Sequence, residues 1–227
     1  MPVDPTLDLE RSLIKQGATL VIGCDEVGRG AIAGPVAVGV AAATSAVLAE
    51  GLIPAGLRDS KLLSEKRREV IAPAAAGWLP HAVGTASSDE VVALGIVAAL
   101  GLAGYRALGH LHRAGVSLIG GVVLLDGNHD WLTRALPAGS GVQVVTRVKA
   151  DRDCAVVAAA SVIAKVDRDG RMRDAHDRAP EYGWDRNKGY GSAGHAAALR
   201  VYGPHPLHRR SWLSGILSES DRVTSTQ

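Results

Sequence analysis

The sequence predicts an α/β protein: a mixed sheet of about five strands with helices on its faces and a helical C-terminal extension. Three observations carry this. Five short apolar runs are bounded by Gly, Pro, Asp or Ser, as strands are. Two much longer segments carry helix caps and helical periodicity. The run order is three strands, a helix, a strand, a strand, then helices, which implies both tight turns and crossovers, and hence a mixed sheet.

In order, "ATLVIGCDE" reads as a strand ending near Asp25. "GPVAVGVAAA" reads as a second strand, with Pro35 at its start, where a missing donor does least harm. The Gly-rich turn between them suits antiparallel pairing. "SEKRREVIAPAAAGW" opens with a Ser cap and reads as a helix up to Pro73. "PHAVGTAS" is the third strand. "SSDEVVALGIVAALGLAGYRALGHLHRAG" reads as one long helix, capped by Ser87 or Ser88 and closed by Gly115. Asp89 and Glu90 suit its positive end. "GGVVLLDG" is a continuous apolar run, as in a strand buried on both faces. "GVQVVTRVKAD" is the fifth strand. "CAVVAAASVIAKVDRDGRMRDAHDRA" is a second long helix that begins apolar and ends charged. Gly/Tyr/Pro-rich turns, a short helix and "HPLHRRSWLSGIL" complete the chain before a frayed tail.

A chain of 227 residues is ample for a real core. Phe is absent, so that core must be built largely from small aliphatic side chains. Net charge is only +2 but uneven. Residues 1–130 carry 10 Lys+Arg against 13 Asp+Glu, and residues 131–227 carry 15 against 10. A basic C-terminal part is compatible with a polyanion substrate. The two cysteines, Cys24 and Cys154, suggest neither a zinc cage nor a disulfide framework, and a reducing cytoplasm is the simplest compartment. The acidic N-terminus has no apolar core and is not a signal peptide. The uncharged run 31–49 is Ala- and Gly-rich and broken by Pro35, so it reads as a buried strand plus turn, not a membrane span.

Acids follow the apolar runs. Asp25 and Glu26 follow the first, Asp126 follows "VVLL", and Asp151 follows "VVTRVKA". Ends of neighbouring strands can converge. Two like charges about 4 Å apart repel by roughly 4 kcal/mol at an effective dielectric near 20, so such a cluster needs a positive partner. Oxygen ligands without His or Cys favour Mg²⁺ or Mn²⁺. Two such ions suit in-line attack on a phosphodiester. Strand residues alternate faces, so Asp25 and Glu26 share one site only if the strand ends or bulges there. "GRGAIAG" is neither a dinucleotide fingerprint nor a P-loop, but its glycines permit close backbone approach to a ligand.

"DEVGRGAIAGPV" resembles the signature of the ribonuclease HII family. "RDSKLLSEKRRE", "LLDG", "VKADRDCAVVAAASVIAKVDRD", "NKGYGSAGH" and "HRRSW" resemble its further blocks, in order, from about residue 20 to 213. The resemblance implies a ribonuclease H-like fold and cleavage of RNA paired with DNA. It also implies incision 5′ of a lone ribonucleotide in duplex DNA, giving 3′-hydroxyl and 5′-phosphate ends. The family's metal-binding acids carry over to Asp25, Glu26, Asp126 and Asp151, with Asp153 a competitor for the last. Gly28, Arg29 and Gly30 would read the 2′-hydroxyl, the group that separates RNA from DNA. Tyr190 would pack on the adjacent sugar, and Lys61 would contact phosphate. Ser192 and Trp212 stand where the family often has Thr and Phe. About 18 residues precede the first strand, which disfavours the type 3 enzymes with their extra N-terminal domain. The resulting division is 1–17 as an N-terminal segment, 18–180 as the catalytic domain, 181–218 as a helical substrate-contacting extension and 219–227 as a disordered tail.

Two rivals are weaker. A non-catalytic nucleic-acid-binding module would be better served by Lys and Arg than by four acids. A small-substrate phosphohydrolase leaves the Gly-Arg-Gly and tyrosine blocks without a use. His195, His205 and His208 lack companions for a metal site and read as hydrogen-bonding and surface residues. Arg209 and Arg210 read as phosphate contacts or as stems covering the last helix. Tyr182 and Trp184 read as packing residues and Cys24 as core. No clamp-binding tail is evident, and nothing demands more than a monomer.

Overall fold

The computed structural model describes residues 4–217. Its sheet comprises β1 (Leu20–Val27), β2 (Val36–Thr44), β3 (His81–Ala86), β4 (Gly121–Asp126) and β5 (Gln143–Arg147), in the spatial order β3-β2-β1-β4-β5. The first three strands form an antiparallel meander, and β4 and β5 add in parallel beside β1. The sheet is therefore mixed and five-stranded, as expected from the order of apolar runs.

Helices cover both faces. On one lies α7 (Ala155–His176), with α3 (Glu65–Trp78) and α1 (Asp8–Lys15) beside it. On the other lies α5 (Ile96–Arg113), against Ile22, Cys24, Val38 and Val40. The first half of α7 is almost entirely buried and rich in alanine, so helix and sheet approach closely. Gly23 makes this possible: a Cβ there would lie inside the Val156 carbonyl, with backbone on both sides of the clash. Gly23→Ala is expected to lower stability by about 1–3 kcal/mol, the usual cost of overpacking, read as a lower midpoint in a denaturant melt. An unchanged midpoint would show that α7 can move off the sheet freely.

Four details differ from expectation. The helix α3 passes through Pro73 and continues to Trp78. Burial of Ile71, Ala72 and Ala75 on one face outweighs the single backbone bond the ring forfeits. The long helix divides at Gly95 (φ 78°, ψ 157°) into α4 (Ser88–Leu94) and α5. A capping box between Ser87 and Glu90 starts the first piece. The 31–49 run ends not in a turn but in α2 (Ser45–Glu50), capped by Thr44. The N-terminal segment forms α1, whose fully buried Glu10 accepts from the Val156 N–H and so caps α7 across 146 residues.

The C-terminal extension contains α8 (Trp184–Asn187) and α9 (Ala193–Tyr202). It builds its own small core around Tyr182, Trp184 and Leu199, joined by Ile32, Ala33 and Met172. The expected tail 219–227 lies outside the described residues. Among the described residues, no helix is long and apolar enough to cross a membrane.

Candidate active site

The strand β1 does not stop at Asp25. Asp25 pairs with Gly39 and Glu26 with Val38, so the ladder runs on to Val27 without a bulge. Alternation puts Asp25 on the α7 face with Gly23, and Glu26 on the opposite face with Cys24. Both nonetheless lie near Asp126, because the β1–β4 pairing ends at Cys24 and Leu125. Asp126 follows immediately, at the end of β4. Asp151 is not at a strand end. It is the second residue of α6 (Ala150–Asp153), set there by Lys149 in the left-handed region (φ 62°). The Asp151 N–H donates to Asp126 Oδ1 at 3.3 Å, which locks the fourth acid against the third. Asp153 is elsewhere engaged: Arg152 Nε stands 2.6 Å and Arg147 Nη2 3.6 Å from its carboxylate.

The four acids are linked through Asp126, which acts on Asp25 and Glu26 on one side and on Asp151 on the other. Burial pushes Asp25, only 4% exposed, up to about 8; a hydrogen bond from Ser161 opposes this, and the Glu26 and Asp126 charges add to it. Burial also raises Glu26, against the pull of Arg29, and raises Asp126, with the Asp151 charge adding. Lys61 answers the surplus. Its Nζ donates to Asp151 Oδ2 at 2.8 Å. Burial would lower its pKa, but that bond and the charges of Asp25, Asp151 and Asp59 raise it. Lys61, expected as a phosphate contact, is thus turned onto an acid of the cluster.

Three further residues belong here that the sequence did not mark. Asp59 is buried, accepts from the Lys61 N–H and lies beside Asp151. Ser161 on α7 bonds Ser60 at 2.9 Å and also serves Asp25. Their signal was present in "DSK" and "AAAS", where only the lysine had an evident chemical use.

The donor set fits a hard divalent cation: oxygens only, several held above their ordinary pKa by burial and mutual repulsion. Among the described residues, no group of three or more His, Cys, Asp or Glu is placed to hold one ion. The sign of the pH effect follows. A carboxyl whose folded pKa lies above its unfolded value of about 3.9 favours folding while protonated, and that stability is lost as pH rises. Buried His195 and His208 oppose this below about pH 6.5, so metal-free protein is expected to melt at progressively lower temperature from about pH 6.5 to about pH 8. Millimolar Mg²⁺ is expected to restore the melting temperature most at the alkaline end. A metal-free melting curve that rises over this range would contradict the cluster.

Beside the acids lies the loop 28–34. Gly28 has φ 81°, and a Cβ there would overlap the Arg168 guanidinium. Arg29 is half exposed, 3.7 Å from Glu26 Oε1, and Gly30 is exposed. The loop hangs from two buried arginines. Arg209, 0% exposed, donates from Nη2 to Gly28 O (2.8 Å), from Nη1 to Arg29 O (2.9 Å) and from Nε to Gly34 O (3.3 Å). Arg168 donates to Pro35 O and Lys188 O, both at 2.9 Å. Burial lowers Arg209 to about 10, with the Arg168 charge adding, so it stays charged at neutral pH. Arg209 is thus neither a phosphate contact nor a stem over the last helix. Tyr190, 37% exposed, is tied to the same loop: Ile32 N and Ala33 N both donate to Gly189 O. Its ring lies over Arg168 (5.5 Å) and Lys165 (5.8 Å).

An antiparallel meander extended by parallel strands, with Asp25 and Asp126 on adjoining strands and Asp151 at the start of the following helix, defines a hydrolase of the ribonuclease H-like class. Comparison with known proteins narrows this. The ribonuclease HII family model matches residues 22–214. The ribonuclease HII of Streptomyces avermitilis is 46% identical over 93% of this chain and 85% of its own. That of Roseobacter denitrificans is 42% identical over 86% and 91%. In fold, the chain is similar to a structure of the PCNA:RNase HII complex from Archaeoglobus fulgidus, with TM-score 0.66 and 23% identity over 88% of this chain and 97% of that one. It is also similar to Bst RNase HIII in complex with Mn²⁺, with TM-score 0.60 and 23% identity over 85% and 65%. The chain belongs to the ribonuclease HII family, and is an endoribonuclease acting on RNA–DNA hybrids.

Proposed function

We propose that the protein also incises duplex DNA on the 5′ side of a single embedded ribonucleotide, leaving 3′-hydroxyl and 5′-phosphate ends. The observation that carries this is the adjacency of the acid cluster to a rigid loop with an exposed Gly30, tied through Gly189 to a half-exposed tyrosine. Asp25, Glu26, Asp126 and Asp151 would hold two divalent ions, Mg²⁺ or Mn²⁺. Such ions, when bound, supply an activated water and charge for the departing oxygen. The chain itself does the rest. Arg209 and Arg168 hold the carbonyls of Gly28, Arg29, Ala33, Gly34 and Pro35, which leaves the Gly28, Arg29 and Gly30 N–H groups to meet a 2′-hydroxyl. Tyr190 presents a ring to the next sugar, where an extra hydroxyl would crowd it. Lys61 holds Asp151 until substrate and ions compete for it, and is then placed to face a phosphate.

A cavity of about 720 Å³ lies instead between α5 and the segment after β4, lined by Ile96, Leu102, Tyr105 and Trp131. The acids lie outside it, at the C-terminal ends of the central strands β1 and β4 and the start of α6. In this proposal residues 18–180 carry the chemistry and 181–218 the substrate contacts. The protein works as a monomer in a reducing cytoplasm, where the buried, unpaired Cys24 and Cys154 stay reduced.

The test is a DNA duplex with one ribonucleotide, beside an RNA–DNA hybrid and an all-DNA duplex, with Mg²⁺ or Mn²⁺ and then EDTA. Incision at the single ribonucleotide that stops on chelation is expected. Binding without incision would return the site to a recognition role. Tyr190→Ala is expected to lose selectivity for the junction more than affinity for DNA, measured as the ratio of kcat/KM on the two cleavable substrates. Equal losses on both would remove Tyr190 from the sugar contact.

A further inference from the structure

We infer that His195 and His208 form a fixed two-imidazole relay that positions Tyr190, making His195 a positioning residue for discrimination between a lone ribonucleotide and a continuous RNA strand. The inference rests on the sugar contact proposed for Tyr190.

The hydrogen-bond partners determine every ring proton. His195 Nδ1 lies 2.9 Å from the Tyr190 carbonyl oxygen, which can only accept, so Nδ1 carries a proton and donates. The Trp184 indole N–H donates to His195 Nε2 at 3.1 Å, so that nitrogen is bare. His208 Nε2 lies 2.9 Å from the same atom and must therefore be the protonated, donating nitrogen of His208. His208 Nδ1 in turn accepts from the His205 N–H at 2.9 Å; the His205 carbonyl oxygen is farther, at 3.2 Å, and the donor at Nε2 leaves Nδ1 the bare nitrogen. All four nitrogens are spent, so the pair has no lone pair left for a metal ion. A further proton on His195 would set three donors against one another.

Both rings are buried, at 0% and 1% exposure. Burial lowers both pKa values, that of His208 to about 4 with the His195 ring contributing, so the neutral pair persists at neutral pH. The surroundings hold the rings in place. Tyr182 stacks on Trp184 with centroids 5.0 Å apart and meets His208 edge-on at 4.8 Å. The Tyr182 hydroxyl donates to Gly203 O at 2.8 Å.

Tyr190 needs such a support because the core grips it by its backbone. Its carbonyl accepts from His195 and from Ser192 N, and its N–H donates to Asn187 O. The ring stands outward over two cations. A ring that discriminates between sugars must be fixed to a fraction of an ångström, since small misplacements cost rate. The only side chain bonded to that carbonyl among the described residues is His195.

Two substitutions split the functions of the imidazole. Asn at 195 places an amide N–H where Nδ1 was and keeps the bond to Tyr190, but leaves the Trp184 and His208 donors without their acceptor. Gln places an amide oxygen where Nε2 was and keeps those two partners, but cannot donate to Tyr190. His195→Asn is expected to melt at lower temperature with its junction-to-hybrid ratio of kcat/KM close to the parent's. His195→Gln is expected to melt near the parent temperature, to cleave the hybrid at an unchanged rate, and to lose roughly tenfold in that ratio. If His195→Gln keeps the ratio, or both variants lose it in step with melting temperature, the relay is structural only. Tyr190→Ala run in parallel separates the two failures. An unaltered ratio there overturns the tyrosine contact and the inference with it, whereas a reduced ratio beside a normal His195→Gln overturns the relay alone.

Discussion

Asp25→Asn is expected to reduce hybrid cleavage by on the order of 10³-fold, the upper range for removing one preorganised electrostatic group. The same change is expected to make the metal-free protein more stable at pH 8. Both outcomes follow from one fact. Asp25 is held at about 8 by burial and by the Glu26 and Asp126 charges, so ionising it in the empty site is unfavourable. Asparagine keeps the shape and the oxygen that accepts from Glu26 N at 2.8 Å, but brings no charge to bury. Function is thereby exchanged for stability. The measurements are initial rates on a hybrid with Mg²⁺ and thermal melts with EDTA. Loss of rate together with loss of stability would mean that Asp25 holds the fold and is not a site under electrostatic tension. A rate within a few-fold of the parent would remove it from the chemistry.

What the sequence made legible divides along physical lines. The strands were readable because each is a short apolar run closed by a residue that strands avoid. Asp25, Glu26 and Asp126 stood out because a charge directly after such a run is costly unless it is used. Asp151 was visible as a residue but misplaced in structure. Its position depends on Lys149 taking a left-handed conformation, which the sequence rule assigns to glycine or asparagine. The break at Gly95 and the passage through Pro73 are tertiary decisions. Local propensity marks both as possible stops, and only packing against the sheet chooses between them. Glu10 was unreadable as a cap, since it serves a helix 146 residues away.

The least visible part of the site is its scaffold. A lysine- or arginine-bearing segment reads as solvent-facing, and "HRRSW" gave no hint that Arg209 is buried while Arg210 is exposed. The burial is intelligible afterwards. Every carbonyl that the loop 28–34 turns inward needs a donor, and one guanidinium fork supplies several at fixed angles.

That geometry sets the second large effect. Arg209→Met should leave the carbonyls of Gly28, Arg29 and Gly34 buried without their donor, and destabilise the protein by roughly 1–3 kcal/mol for each group left unsatisfied. Since such a variant can fail to fold, Arg209→Lys is the more informative change. Its ammonium keeps the charge and can reach some of the carbonyls, but it cannot span Gly28, Arg29 and Gly34 at once. A folded protein is expected whose loop is loosened, with kcat/KM reduced by on the order of 10²-fold on both the hybrid and the single ribonucleotide. In the proposed function both substrates present a 2′-hydroxyl to the same loop, so the loss should be uniform. This separates Arg209 from His195 and Tyr190, whose changes should alter the ratio between substrates. Arg210→Lys, one residue away and exposed, is expected to stay within about 0.5 kcal/mol of the parent. If Arg209→Lys instead cleaves both substrates at the parent rate, the loop holds its shape without the fork, and Arg209 fills space.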